Sequence, residues 1–246
     1  MPGVRSAGQS SFPGVKRKLV LFDIDGTLLL SAGAGRRAIL AALSEYIPEV
    51  AAVQAIRFDG KTDPQIVLEL LLAAGAPGPH DAAKIATLLE RYVTHLEQDL
   101  AVRGHHSRLM PGIPELLDEL EADPGVVLGL LTGNVIAGAR LKLRAAGLDP
   151  ARFVVGAYGS DHARRGELPP IAVKRAETYF GRIPTGGEVV IIGDTPADVS
   201  CGVCIGARSV AVATGGFSVA ELEAAGAHAV FADFSDLLRA REAILS

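Results

Sequence analysis

The chain has 246 residues, 49% of them hydrophobic and 21% charged, enough for a substantial buried core in one large domain or two small ones. A net charge of −4 and a pI near 5.9 exclude an electrostatic footprint for nucleic acid or an anionic membrane. No apolar run reaches the ~18–20 residues that a membrane span needs, so a soluble, cytoplasmic protein with no membrane partner is expected.

Residues 1–17 carry Ser, Gly, Pro and basic side chains, with no apolar block ahead of a cleavage site, and read as a disordered arm rather than a secretion signal. The continuous apolar run over 18–23 predicts a strand buried on both faces of a parallel sheet. The linker Ser31-Ala-Gly-Ala-Gly35 supplies glycines for a hinge. From Gly35 to about Val102 apolar residues recur at helical spacing, as in Ile66, Leu70 and Leu71 or Leu88, Leu89 and Leu96, with no good strand. Turns are predicted at Ile47-Pro48, 58–64 and 75–79. His105 and His106, at the far hinge, read as surface residues.

From Pro111 strand and helix patterns alternate. Strands are predicted over 126–131, 153–155, 188–192, 209–213 and 229–231, with helices over 135–146, 171–180, 197–205, 219–225 and 235–244. Strands separated by helices of about ten residues imply right-handed crossovers. The predicted fold class is α/β: a Rossmann-like open parallel sheet, residues 18–32 and 106–246, with a helical cap over 33–105 inserted after the first strand.

The two cysteines, Cys201 and Cys204, have redox-pair or half-metal-site spacing. They fall in the small-residue stretch 199–207, where cysteine packs as a small hydrophobe, and two further zinc ligands are not evident.

In open α/β sheets ligands bind at the carboxyl ends of the strands. There lie Asp23 and Asp25, then Thr132-Gly133-Asn134, then the loop 159–167, then Asp194 with Asp198 close behind. Clustered carboxylates repel unless a cation neutralises them, and Mg2+ takes oxygen ligands from one or two carboxylates plus a substrate phosphate. A carboxylate can also attack phosphorus and form an aspartyl phosphate. The Thr132 hydroxyl and the N–H groups of Gly133 and Asn134, near a predicted helix start, suit phosphoryl oxygens. A cation from Arg164, Arg165 or Lys174 would complete the neutralisation.

These motifs resemble those of the haloacid dehalogenase superfamily of phosphatases, especially its phosphoglycolate phosphatase-like branch. The resemblance rests on Asp23-Ile-Asp25-Gly-Thr-Leu28, on Leu130-Leu-Thr-Gly-Asn134 and on Ile191-Ile-Gly-Asp-Thr-Pro-Ala-Asp198, and it runs from Lys18 to Phe234 with the cap in the family's usual place. It implies a Mg2+-dependent phosphatase acting on a small phosphorylated metabolite. It makes Asp23 the nucleophile and a metal ligand. Asp25 becomes the acid and then the base, its main-chain carbonyl reaching the metal. Thr132, with Gly133 and Asn134, becomes the phosphate site, Asp194 a metal ligand, and Asp198 a ligand or a neighbour that orients one. The family's third motif carries a lysine, and here the pattern departs. Counting back from Pro170, the position holds Arg165, with Arg164 and Lys174 as the other choices; the two arginines also read as a solvated loop face.

In the cap, Lys61 and Thr62 are candidate substrate contacts. The same segment also reads as a plain capping turn, with Asp63 at the N-cap and Pro64 as first helical residue. Asp25 argues against dehalogenation and, with Lys61 the one Schiff-base candidate, against phosphonate cleavage. A phosphomutase would share every core motif, and a non-catalytic binding protein on this fold is the alternative from another class. Monomer and homodimer both remain open.

Overall fold

A computed structural model describes residues 17–47 and 53–246. Residues 1–16 of the predicted arm and Pro48 of a predicted turn lie outside the described residues. In chain order the elements are β1 (Lys18–Phe22), β2 (Leu29–Leu30), α1 (Ala34–Ala42), α2 (Asp63–Ala73), α3 (Ala82–Arg103), β3 (Arg108–Leu109), α4 (Ile113–Ala122) and β4 (Val126–Thr132). There follow α5 (Ile136–Ala145), β5 (Val155–Tyr158), α6 (Leu168–Phe180), β6 (Val189–Gly193), α7 (Pro196–Cys201), β7 (Arg208–Val212), α8 (Val219–Ala224), β8 (Ala229–Phe231) and α9 (Leu237–Leu245).

Six strands form one parallel sheet in the order β5-β4-β1-β6-β7-β8. The central β1 shows why its apolar run is unbroken. Leu19 and Leu21 pack on one face against Leu168, Ala172 and Val173 of α6. Val20 and Phe22 pack on the other against Leu116 and Leu120 of α4, Leu143 of α5 and Ile244 of α9. Alternate side chains of a strand point to opposite faces, so covering both faces requires hydrophobic residues at every position. The chain runs outward from β1 through β4 and β5, then returns to lay β6 on the other side of β1. The carboxyl end of β1 therefore lies at the point where the strand order reverses, the crevice such sheets use for ligands.

Helices α1–α3 bury a separate cluster that includes Ile39, Leu43, Leu70, Leu88, Tyr92 and Leu96, and the core residue Val135 joins it. This is the helical cap inserted after the first strand. Its two connections to the core are the paired strands β2 and β3, antiparallel with Leu29 opposite Leu109 and Leu30 opposite Arg108. Two-residue strands carry no period for a sequence reading to detect, so this ribbon was not predicted.

Three local expectations change. The strand predicted over 153–155 is Val155–Tyr158: a single 3-10 turn at Pro150–Arg152 delays it, and Phe153 packs edge-on to Phe22 from the turn. The helix predicted over 197–205 stops at Cys201 and resumes as a 3-10 turn, Val203–Ile205, after Gly202. The N-cap of α2 is Thr62, its hydroxyl accepting from the Gln65 N–H at 3.3 Å, which makes Asp63 rather than Pro64 the first helical residue. Among the described residues no helix is long and apolar enough to cross a membrane.

Candidate active site

Beyond Phe22 the chain leaves the sheet in a tight turn in which the Leu28 and Leu29 N–H groups donate to the Ile24 carbonyl at 2.9 and 3.1 Å. Gly26 turns with φ +84°, and a Cβ there would stand 2.3 Å from the Asp194 carboxylate, so only glycine fits. Asp194 follows β6 and accepts from the Thr27 hydroxyl at 3.0 Å. Gly215 closes its other side, since a Cβ at that position would come within 1.8 Å of its Oδ2. Asp198 lies in the first turn of α7 and forms a reciprocal cap with Thr195, whose N–H and hydroxyl donate to Oδ2 at 3.0 and 2.6 Å.

Asp23, Asp194 and Asp198 thereby converge, all buried, with carboxylate oxygens within 4.8 Å of one another. Among the described residues one cation pairs with two of them. Arg165, 7% exposed, reaches in from the turn before α6: its Nη2 hydrogen-bonds Asp198 Oδ1, lies 3.3 Å from Asp23 Oδ1 and donates to the Leu131 carbonyl at 3.3 Å. Its Nε is buried without a partner among the described residues. Of the other cations considered, Arg164 is exposed and pairs with Glu167 at 3.2 Å, and Lys174 is exposed on α6.

The electrostatics follow from crowding. Burial pushes the Asp23 carboxyl up to about 6; Arg165 opposes this while the charges of Asp198 and Asp25 add to it. Burial, then the charges of Asp198 and Asp23, raise Asp194 well above the usual carboxylate range. Burial works against the Arg165 guanidinium, but Asp198 and Asp23 outweigh it and hold the proton on. Three carboxylates against one arginine leave two negative charges, and Asp194 has no ion pair among the described residues. An all-oxygen donor set with that residual charge fits one hard divalent cation. Beneath Arg165 the Cys201 thiol is pushed up to about 12 by burial, and both cysteines are free. A thiol held protonated is a packing group, not a nucleophile.

Asp25 stands apart from the cluster, and its side chain is 41% exposed. Its Oδ2 accepts from Asn134 Nδ2 at 2.8 Å and from Lys142 Nζ at 2.6 Å. Asn134 is fixed in turn: Nδ2 also donates to the Thr132 hydroxyl at 2.9 Å, and Oδ1 accepts from Lys142 at 2.6 Å. Flipping the amide would set its NH2 against an ammonium and its oxygen against a carboxylate, so the network has one consistent orientation. The Asn134 side chain therefore serves Asp25. The N–H groups at the start of α5 are also taken, Val135 by Asp63 Oδ2 and Ile136 by Ser160 Oγ, both at 2.8 Å.

The cap rests directly on this rim. The Asp63 N–H donates to the Gly133 carbonyl at 2.8 Å, and a Cβ on Gly133 would meet the Lys61 carbonyl at 2.1 Å. Thr62 is wholly buried and donates to the Ala163 carbonyl at 2.5 Å. It clamps cap to core and, contrary to expectation, does not line the cavity. Lys61 does line it and pairs with Glu69 at 2.5 Å. The cavity between cap and core, about 290 Å3, has Asp23, Asp25 and Thr132 on the core side and Arg36, Phe58 and Tyr92 on the cap side.

Two residues here escaped the sequence reading. Lys142 lies on the stripe Val135–Ala139–Lys142 that α5 buries; a lysine on a buried stripe was the available signal. The sequence presents Asp63 only as a cap, yet it is buried and pushed up to about 6 by burial, with Lys142 opposing.

The chain matches the haloacid dehalogenase-like hydrolase family over residues 17–206. It is 32% identical over 226 residues to a phosphoglycolate phosphatase of Rhodospirillum rubrum, covering 89% of each chain. It is 27% identical over 209 residues to an N-acetylmuramic acid 6-phosphate phosphatase of Pseudomonas aeruginosa, covering 82% of this chain and 84% of that one. Among solved structures, a hydrolase from Pseudomonas syringae superposes with a TM-score of 0.69 at 26% identity, over 94% of this chain and all of that one. The chain therefore belongs to the haloacid dehalogenase superfamily, in which it is an enzyme of the phosphatase type resembling the phosphoglycolate phosphatases.

Proposed function

We propose that this phosphatase is Mg2+-dependent, hydrolyses a small phosphorylated metabolite, and works through an aspartyl phosphate on Asp23. The observation that carries this reading is the convergence of buried Asp23, Asp194 and Asp198, two of them paired with Arg165, beside a cavity of about 290 Å3. That volume is at the small end for ligand sites. Asp23, Asp194 and Asp198, with the Asp25 main-chain carbonyl, would hold the metal, which when bound offsets negative charge on the phosphoryl oxygens.

In the first step an Asp23 carboxylate oxygen attacks phosphorus, the bond from phosphorus to the ester oxygen breaks, and Asp25 gives its proton to the departing alkoxide. In the second, Asp25 takes a proton from water, the oxygen attacks phosphorus, and the acyl phosphate opens to release inorganic phosphate and regenerate Asp23. The Thr132 hydroxyl, the Gly133 N–H and the Arg165 guanidinium are the donors for the phosphoryl oxygens. Lys61 is the cap candidate for the leaving group.

The test is phosphate release with Mg2+ across small phosphate monoesters, for the wild type and Asp23→Asn. Turnover by the wild type, none by the variant, and an acid-quenched phosphoryl adduct on the peptide bearing Asp23 are expected. Wild-type-level turnover in the variant removes the nucleophile assignment. Exchange between sugar positions without net phosphate release would make the enzyme a mutase instead.

A further inference from the structure

Lys142 has no part in the chemistry described so far, yet it is among the most constrained side chains of the site. It springs from the second turn of α5, and helical side chains lean toward the N-terminus, so its ammonium arrives at the Asp25 and Asn134 oxygens, 2.6 Å from each. It is 5% exposed. All three cap helices enclose it. A Cβ on Gly35 of α1 would stand 3.1 Å from Nζ and 3.8 Å from the Tyr92 hydroxyl of α3, which is itself buried without a partner among the described residues. Asp63, opening α2, is held by the Val135 N–H at the same end of α5. An ammonium withdrawn from water this far costs stability unless its charge and protons are matched, and the matching groups are Asp25 and Asp63, with the Asn134 amide oxygen accepting one proton.

We propose that Lys142 is a positioning residue for Asp25: with Asn134 it occupies Oδ2 and fixes the plane of the carboxylate, leaving Oδ1 as the oxygen that hands over and takes back the proton. This rests on the reading of Asp25 as the acid and base of the reaction. Removing the ammonium takes one donor from Oδ2 and the partner from Asn134 Oδ1, so both anchors of the carboxylate loosen together. The phosphoryl-binding Arg165 keeps its own contacts to Asp23, Asp198 and the Leu131 carbonyl.

The experiment compares wild type, Lys142→Met and Lys142→Arg with Mg2+ on an alkyl phosphate and on an aryl phosphate whose phenolate leaves without a proton. The ratio kcat/KM reports the step in which the leaving group departs. For Lys142→Met it should fall at least about 30-fold on the alkyl ester and less than about 5-fold on the aryl ester, with part of the alkyl activity restored in Lys142→Arg. Equal losses on both esters, or no loss, overturn the proposal. A crystal structure of Lys142→Met supplies a readout without turnover: a rotated Asp25 carboxylate supports the clamp, and an unmoved one refutes it. Should the single variant not fold, Lys142→Met/Asp63→Asn removes the matching charge as well and carries the same measurements. A wild type that hydrolyses neither ester overturns the phosphatase reading, and the crystal structure then decides the clamp alone.

Discussion

Nη2 of Arg165 lies 3.3 Å from Oδ1 of Asp23 and hydrogen-bonds Asp198 as well, so a single buried guanidinium joins the end of β1 to the first turn of α7. The family's third motif carries a lysine at this point of the chain. An arginine fork reaches two carboxylates at once, whereas an ammonium is a single point of charge.

Removing that fork should act on both stability and rate. Arg165→Ala leaves buried carboxylates facing one another, and losing one partner of a buried pair costs roughly 3–5 kcal/mol. Urea unfolding in EDTA reads this. With Mg2+ present, kcat/KM should fall about 100- to 1,000-fold, the range for a lost transition-state donor, and Arg165→Lys should lie between. An Arg165→Ala enzyme of wild-type rate would show that the guanidinium only balances charge.

The excess negative charge at Asp23, Asp194 and Asp198 makes a second prediction. Mg2+ at about 100 times its dissociation constant should stabilise the protein by about 2.7 kcal/mol, raising Tm by about 5–10 °C for a chain of this size. Asp194→Asn removes a ligand and part of the repulsion together. Its Tm in EDTA should therefore equal or exceed that of the wild type, while its shift with Mg2+ largely disappears. Thermal melts of both proteins with and without Mg2+ check this; an undiminished shift in the variant would move the metal elsewhere.

The third concerns pH. Burial, opposed by Lys142, leaves the Asp63 carboxyl at about 6 against an ordinary value of 3.8. The native state then binds more protons than the unfolded chain between about pH 4 and 6, so stability is fullest below the unfolded value and declines as pH rises through the folded one. The difference between 3.8 and about 6 is on the order of 3 kcal/mol. Asp23 and Asp194 shift in the same direction, so Asp63→Asn should shallow the metal-free slope without abolishing it. Its amide oxygen can still accept from the Val135 N–H. Urea midpoints in EDTA from pH 4 to 7 measure the difference, and identical slopes would mean that Asp63 is not strained by burial.

How much of this was legible beforehand depends on the range of the interactions involved. The sheet and the order of its helices were readable because strand and helix burial leave periods of two and 3.6 in a single chain segment. So was the carboxyl-end rim, since Asp23, Thr132 and Asp194 each follow an apolar strand and parallel strands share one carboxyl edge. The β2–β3 ribbon, too short to carry a period, was not readable, and β5 is legible only with displaced bounds, because its Gly156-Ala157 carries little strand preference.

The composition of the site's charge balance belongs to the tertiary structure. Asp25 and Lys142 are 117 residues apart, Asp63 and Val135 72, and Arg165 and Asp198 33. Local pattern could place each residue on its own helix, strand end or turn. Which cation meets which carboxylate was decided by packing α5 against the cap and α6 against the sheet, because a Coulombic partner is chosen by distance in space and by the water that burial excludes. Asp23 and Asp25 could thus be named from the chain alone, whereas the Arg165 that balances one and the Lys142 that holds the other are set by the folded molecule.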